Sequence, residues 1–212
     1  FGRDPELAWG FYGHRLALYR ATRPHAGFGI LRSWAAGMAR GGFVFTSNVD
    51  GQFQAAGFPP PSILECHGSI AHLQCTRPCC QEIWPGHELE VAVDPETFRA
   101  APPLPSCPAC GALARPNVLM FNDWQWIPRR SSEQERRFEA WLDQASAGRL
   151  VIVELGAGTG VPTIRLGSER IARSHRAALV RINLREPEVP PDQIGIPLGA
   201  LEALKMIDGL LR

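Results

Sequence analysis

The chain has 212 residues, 45% of them apolar and 20% charged, and its 22 basic and 21 acidic side chains leave a formal net charge of +1. This length and apolar content exclude a disordered chain and suit one domain, or one domain with an insertion, around a full hydrophobic core. The near-neutral balance argues against a protein built to grip nucleic acid or anionic lipid, and no apolar run reaches the roughly 18 residues of a membrane span.

Asp4 and Pro5 read as a helix cap followed by proline at the first helical position. Leu7, Ala8, Phe11, Tyr12, Leu18 and Tyr19 then recur with helical spacing and predict a helix over 5–20. Phe28, Leu31, Trp34, Ala35 and Met38 predict a second over 28–40, stopped by Gly41-Gly42. Phe43 to Thr46 reads as a short buried strand, Pro59-Pro60-Pro61 as an extended link, and Ser62 to Glu65 as another strand. Residues 69–117 carry five cysteines and eight prolines with little periodicity, and read as a small module held together by metal more than by a core.

Beyond that module the pattern is regular. Ser132 with Glu135 has the form of a capping box, and Phe138, Trp141, Leu142 and Ala145 follow at i, i+3, i+4 and i+7, predicting a helix over 133–147. A strand over 150–155, a helix over 163–174, a strand over 178–183 and a helix over 198–211 complete the series. Alternating strands and helices imply an α/β fold with a Rossmann-like parallel sheet. The expected division is a helical segment (1–42), a sheet part (43–68), the cysteine module (69–117) and a second sheet part (118–212).

The cysteines stand at 66, 75, 79, 80, 107 and 110. A disulfide framework would spread its bridges along the chain, whereas clustered pairs point to a metal in a reducing compartment, so a cytoplasmic location is expected. Cys75 with Cys79 or Cys80 forms one close pair, and Cys107 with Cys110 a clean C-x2-C. Each short turn can present two sulfurs to one ion. The expected ligands of a Zn2+ ion are therefore Cys75, Cys79, Cys107 and Cys110, with Cys80 as the alternative to Cys79. Four thiolates close the shell, so the ion is structural. Cys66 stands apart.

Two strings have the form of nucleotide motifs. Glu154 to Gly160 (ELGAGTG) follows a predicted strand and precedes a helix, where glycines let a phosphate or ribose approach the backbone. Alone it also looks like the first motif of Rossmann methyltransferases, but only 52 residues follow Gly160, too few for the rest of such a sheet. A tight turn without a ligand is the third reading. Thr46 to Gly51 (TSNVDG) follows the strand at 43–46, at the end where doubly wound sheets bind ligands; an Asx turn explains it equally well. Glu65-Cys66-His67-Gly68 places a histidine between this loop and the cysteine module.

In this order the motifs resemble those of the sirtuins, NAD-dependent protein deacylases. The family's T-Q-N-I-D-G is similar to Thr46-Ser47-Asn48-Val49-Asp50-Gly51, and its catalytic histidine before glycine to His67-Gly68. Its paired cysteines follow, and its G-x-L-R-P-x-V-V-x-F-G-E resembles Gly111 to Asp123. Its G-T-S loop is matched by Gly156 to Gly158, and its I-N by Ile182-Asn183. Four departures stand out. Ser47 replaces Gln, Asn122-Asp123 replaces Gly-Glu, Ala157-Gly158 replaces Thr-Ser, and the G-A-G-x-S phosphate loop would lie upstream of Phe1. The sequence thus reads as a divergent sirtuin and as a piece of a longer one.

The resemblance implies that NAD is held by Ser47, Asn48 and Asp50 on its nicotinamide side and by Gly156, Gly158 and Asn183 on its adenosine side. Nicotinamide is released, and His67 is the general base toward a ribose hydroxyl, with Asn48 beside it as the second catalytic residue. Leu119 and Phe121 would line the channel for an acyl-lysine of a protein or peptide substrate. The Gly-to-Asn change at 122 falls where the family clamps its peptide, which leaves simple NAD hydrolysis as an alternative. A non-catalytic zinc-bearing interaction module is a third. Six arginines between 165 and 185 read as a solvated helix face rather than an anion site.

Overall fold

The computed structural model describes residues 1–77 and 79–212. In chain order the elements are α1 (Pro5–Ala21), α2 (Ala26–Gly37), β1 (Val44–Thr46), α3 (Gln52–Ala55), a 3-10 turn (Pro60–Ser62), β2 (Ile63–Glu65) and β3 (Gly68–Cys75). There follow β4 (Ile83–Pro85), β5 (Ala114–Val118), α4 (Arg129–Ala145), β6 (Val151–Leu155), α5 (Thr163–His175), β7 (Ala178–Ile182), β8 (Ile194–Ile196) and α6 (Ala200–Leu211). The chain forms two compact units. The first comprises Phe1–Arg23, Ser47–Ala55 and Glu65–Glu135; the second comprises Pro24–Thr46, Ala56–Leu64 and Arg136–Arg212.

In the first unit Asp4 caps α1 by accepting the Leu7 N–H at 3.1 Å, with Pro5 in the first turn where its missing N–H is harmless. The helix lays Trp9, fully buried, against Leu73 and Ala100, and the indole N–H donates to the Ala114 carbonyl at 2.9 Å. Leu16 packs with Ile70 and Val118 in a second cluster. Burying a side chain of this size stabilises the unit by about 2–3 kcal/mol. Strand β3 lies between β4 and β5, antiparallel to both, and its register with β5 shifts between Ser69 and Leu73. Residues 69–117 therefore share a real apolar core with α1, contrary to the expectation of a module held chiefly by metal. Leu73, Leu89, Val91, Ala100, Leu104 and Leu113 supply it, spaced irregularly among prolines so that no period shows.

In the second unit β6, β7 and β8 form a sheet with parallel pairing throughout. Ile182, Ala203 and Leu204 are its buried centre, joined by Ile30, Leu31 and Trp34 of α2. The Trp34 indole N–H donates to Asp208 at 3.0 Å. Glu154 and Arg181 pair on adjacent strands with side chains 0% and 1% exposed, and Arg181 also reaches Glu169 at 2.8 Å. One of the six arginines of the 165–185 stretch is thus a buried ion-pair partner rather than part of a solvated face.

The parallel sheet is interrupted among the described residues. Strands β1 and β2 pair with each other, and β6 is an edge strand. Phe43, Phe45, Phe138 and Trp141 line a cavity of about 130 Å3 against Val151 and Val153 of β6. Three boundaries also differ from expectation. Helix α2 ends at Gly37 because Met38 turns to extended backbone (ψ 141°). Helix α4 begins directly after Pro128, so Ser132 lies in its first turn, its N–H bonded to the Pro128 carbonyl at 2.8 Å rather than forming a capping box. The proline run is extended only at Pro59; the fixed proline φ serves a 3-10 turn from Pro60 equally well.

Candidate functional site

Cys75 ends β3, and Cys79, Cys107 and Cys110 come from loops of the same unit. Their four sulfurs lie within 4.8 Å of one another, with Cys75–Cys110 and Cys79–Cys107 each at 3.7 Å. A tetrahedron of sulfurs about 2.3 Å from a zinc ion has edges of about 3.8 Å, so the donor set fits Zn2+. Cys80 lies outside this four, its sulfur 3.6 Å from that of Cys79. None of the six cysteines is in a disulfide. Burial raises the Cys107 thiol, but N–H groups of Ala109 and Cys110 outweigh it and bring the thiol down to about 7. Deprotonation, which metal binding requires, is thereby eased at Cys107, whereas burial raises the Cys75 thiol and the neighbouring Cys110 sulfur raises that of Cys79. The four residues named from spacing are those the fold gathers.

His67 sits between two fixed points. Its carbonyl accepts the Leu119 N–H at 2.9 Å, and Gly68 pairs with Val118 in the β3–β5 register. Gly68 has φ 83°, and a Cβ there would collide with the Asn117 carbonyl, so only glycine fits. Two residues further, the Ile70 N–H donates to the Val49 carbonyl at 3.0 Å, which joins the Asn48–Asp50 loop to the histidine segment. Asn48 is exposed, Ser47 and Asp50 half-buried. Asp50 Oδ1 accepts the Gln52 N–H at 2.9 Å at the start of α3, so the Asx turn does exist there. His67 is half-buried, and burial lowers its imidazole below the usual 6.5, leaving the ring neutral and able to accept a proton near pH 7.

The chain continues from β5 through Leu119 and Phe121, 37% and 88% exposed. Asn122 has φ 57°, in the left-handed region that glycine takes readily, and asparagine is among the side chains that tolerate it best. Asp123, in place of glutamate, is half-buried and accepts from Arg115 at 2.7 Å. That ion pair fixes the segment's far end and was not singled out from the sequence. The Arg-Pro pair within GALARPNVLMFND was its only signal.

The remaining predicted residues belong to the second unit. Gly156, at the C-terminal end of β6, has φ 65° and donates its N–H to the Ile182 carbonyl at 2.9 Å. Asn183, at the end of β7, donates through Nδ2 to the Ala157 carbonyl at 3.1 Å and accepts the N–H groups of Arg185 and Glu186 at 3.0 and 3.1 Å. Its amide thus ties the turn after β6 to the loop after β7. Glu186, unforeseen from sequence, accepts from Thr159 at N and Oγ1, which brings its carboxyl below the usual range. A glycine-bearing turn outside the carboxyl ends of parallel strands is where such sheets receive nucleotides, and open space beside the Gly156 Cα suits one.

A half-buried histidine in the turn between β2 and β3, a cluster of four cysteines and a parallel βαβ sheet with a glycine turn define an α/β protein with a four-cysteine module and a nucleotide-type turn. The Sir2 family profile matches residues 1–136. An NAD-dependent protein deacylase of Thermus thermophilus is 31% identical over 212 residues, covering 98% of this chain and 73% of that protein. NAD-dependent protein deacylase 2 of Pyrobaculum aerophilum is 31% identical over 90% of this chain and 67% of its own length. Among solved structures, a Sir2–p53 peptide–NAD+ complex aligns with TM-score 0.61 at 22% identity, covering 99% of this chain and 84% of that one. The chain belongs to the Sir2 family.

Proposed function

We propose that the chain is an NAD-dependent protein deacylase, with His67 as its general base and acyl-lysine proteins or peptides as substrates. The observation that carries this reading is the pair of backbone links Leu119 N–H to His67 and Ile70 N–H to Val49. Through them the histidine, the Asn48–Asp50 loop and the Leu119–Phe121 segment are held in one unit. NAD supplies an electrophilic ribose carbon once nicotinamide departs. Asn48 and Asp50, beside Ser47, orient its nicotinamide half; Gly156 and Gly158 offer backbone, and Asn183 keeps their turn in place. Neutral His67 withdraws the proton of a ribose hydroxyl. The edge beyond β5 takes the peptide as an added strand, with Leu119 and Phe121 beside the acyl-lysine stem.

The zinc ion is structural, since four thiolates leave no open position. A thiolate cluster of this kind fits a reducing compartment, and a cytoplasmic location is part of the proposal. Asn122 stands in the left-handed backbone region open to glycine, so an asparagine in place of glycine here does not by itself favour simple NAD hydrolysis. Product analysis with NAD and an acylated peptide tests the reading. Free lysine with O-acyl-ADP-ribose is expected. Plain ADP-ribose formed without peptide would replace the proposal with an NAD hydrolase.

A further inference from the structure

We propose that Glu65, held by the first two turns of α4, is a positioning residue for His67. Glu65 is the last residue of β2 and 1% exposed. Its N–H donates to Gln134 Oε1 at 3.0 Å, and its carbonyl accepts the Ser131 hydroxyl at 2.8 Å. Its carboxylate Oε2 accepts from Arg130 and, at 3.2 Å, from Gln134 Nε2. Three side chains of one helix thus fix both backbone polar groups and one carboxylate oxygen of a residue some 65 positions earlier. Two residues on, the His67 carbonyl is fixed again by Leu119. Only the Cys66 and His67 backbone lies between these anchors.

The grip is a poor device for stability alone. Glu65 Oε1 and Arg130 Nη1 have no hydrogen-bonding partner among the described residues. A buried ion pair left partly unmatched holds a strand and a helix together no better than apolar side chains of similar volume. What it adds is direction, because hydrogen bonds to N–H and C=O set the orientation of a peptide plane and packing does not. The charged and titratable groups around the grip are Arg130 and Glu135 of α4, His72 of β3, and Cys66. Burial drives the Cys66 thiol up to about 11, so it stays uncharged beside the histidine.

The inference rests on His67 being the base, and its test reads the imidazole directly. Glu65→Ala would strand Arg130 and invite misfolding, so the variants are Ser131→Ala and Gln134→Met. Leu104→Ala, in the Trp9 cluster, serves as a control that weakens the same unit elsewhere. The His67 ring proton is titrated by NMR, assigned by its loss in His67→Asn, and reactivity toward diethyl pyrocarbonate is measured at pH 6. In Ser131→Ala and Gln134→Met the titration midpoint should move back toward about 6.5. Reactivity should change at least threefold. Leu104→Ala, at a matched loss of thermal midpoint, should show neither change. If all three variants lose stability yet leave the His67 midpoint and reactivity as in the parent, Glu65 is a staple and the inference fails. If instead His67→Ala deacylates normally, the functional reading fails while the titration still reports the grip.

Discussion

At position 122 the side chain matters less than the backbone angle. Asn122 stands at φ 57°, where a β-branched side chain is strained by about 1–2 kcal/mol and glycine is at ease. Asn122→Gly should therefore leave the KM for an acylated peptide within about twofold, whereas Asn122→Val should raise it at least tenfold with little change in kcat. Peptide titration at saturating NAD checks this, and equal behaviour of the two variants would remove the edge from the binding site. His67 gives a second prediction at this scale. Burial holds its imidazole below 6.5, and a base works in its neutral form, so kcat/KM should rise with pH through a midpoint below about 6.5 and be level by pH 7.5. A pH profile still rising at pH 8 would assign the proton transfer to another group.

At the scale of elements, the cysteine spacing named Cys79 as the ligand and kept Cys80 as the alternative, and the fold separates them. Cys79 stands 3.7 Å from Cys107, and Cys80 lies outside the group of four. Cys80→Ser should keep one zinc per chain by mass spectrometry, and Cys79→Ser should lose it. The opposite result would exchange their roles. Other elements were legible for physical reasons that can be named. Helices α1, α5 and α6 carry periodic apolar residues, and the Asp4-Pro5 start is a local signal that nothing overrides. The Ser132–Glu135 capping box misled because Pro128 already sets the helix start, and the hydroxyl of Ser131 is engaged by Glu65. Strands β3 and β5 escaped notice because their residues are buried regardless of polarity. Gln74 and Asn117, both 0% exposed, hydrogen-bond each other at 2.9 Å in place of an apolar alternation.

At the scale of the whole molecule, the candidate residues are written in two places. His67, Asn48, Asp50, Leu119 and the four cysteines belong to one unit, and Gly156, Gly158 and Asn183 to the other. Motif order along the chain made both halves readable, since each motif ends a strand. What could not be read is the second layer of contacts, because those partners come from distant sequence and bear no spacing signature. Glu65 with Arg130 and Glu186 with Thr159 are the cases in point. If zinc staples the first unit, removing it with a chelator should speed amide exchange in β3 and β5 and leave β6 and β7 as they were. Equal acceleration in both sheets would contradict that assignment. The near-neutral charge that set nucleic acid aside is consistent with these arrangements, in which Arg181, Arg130 and Arg115 are spent on internal carboxylates.

In the proposed chemistry His67 is the base of an NAD-consuming removal of acyl groups from lysine. Its most direct measurement is the ratio of nicotinamide released to lysine exposed, for the parent and for His67→Ala with zinc content and fold verified. One nicotinamide per lysine is expected in the parent, and a loss of at least about 100-fold in deacylation in the variant, on the order expected for removing a general base. Deacylation without nicotinamide release, or a His67→Ala chain as active as its parent, would contradict it.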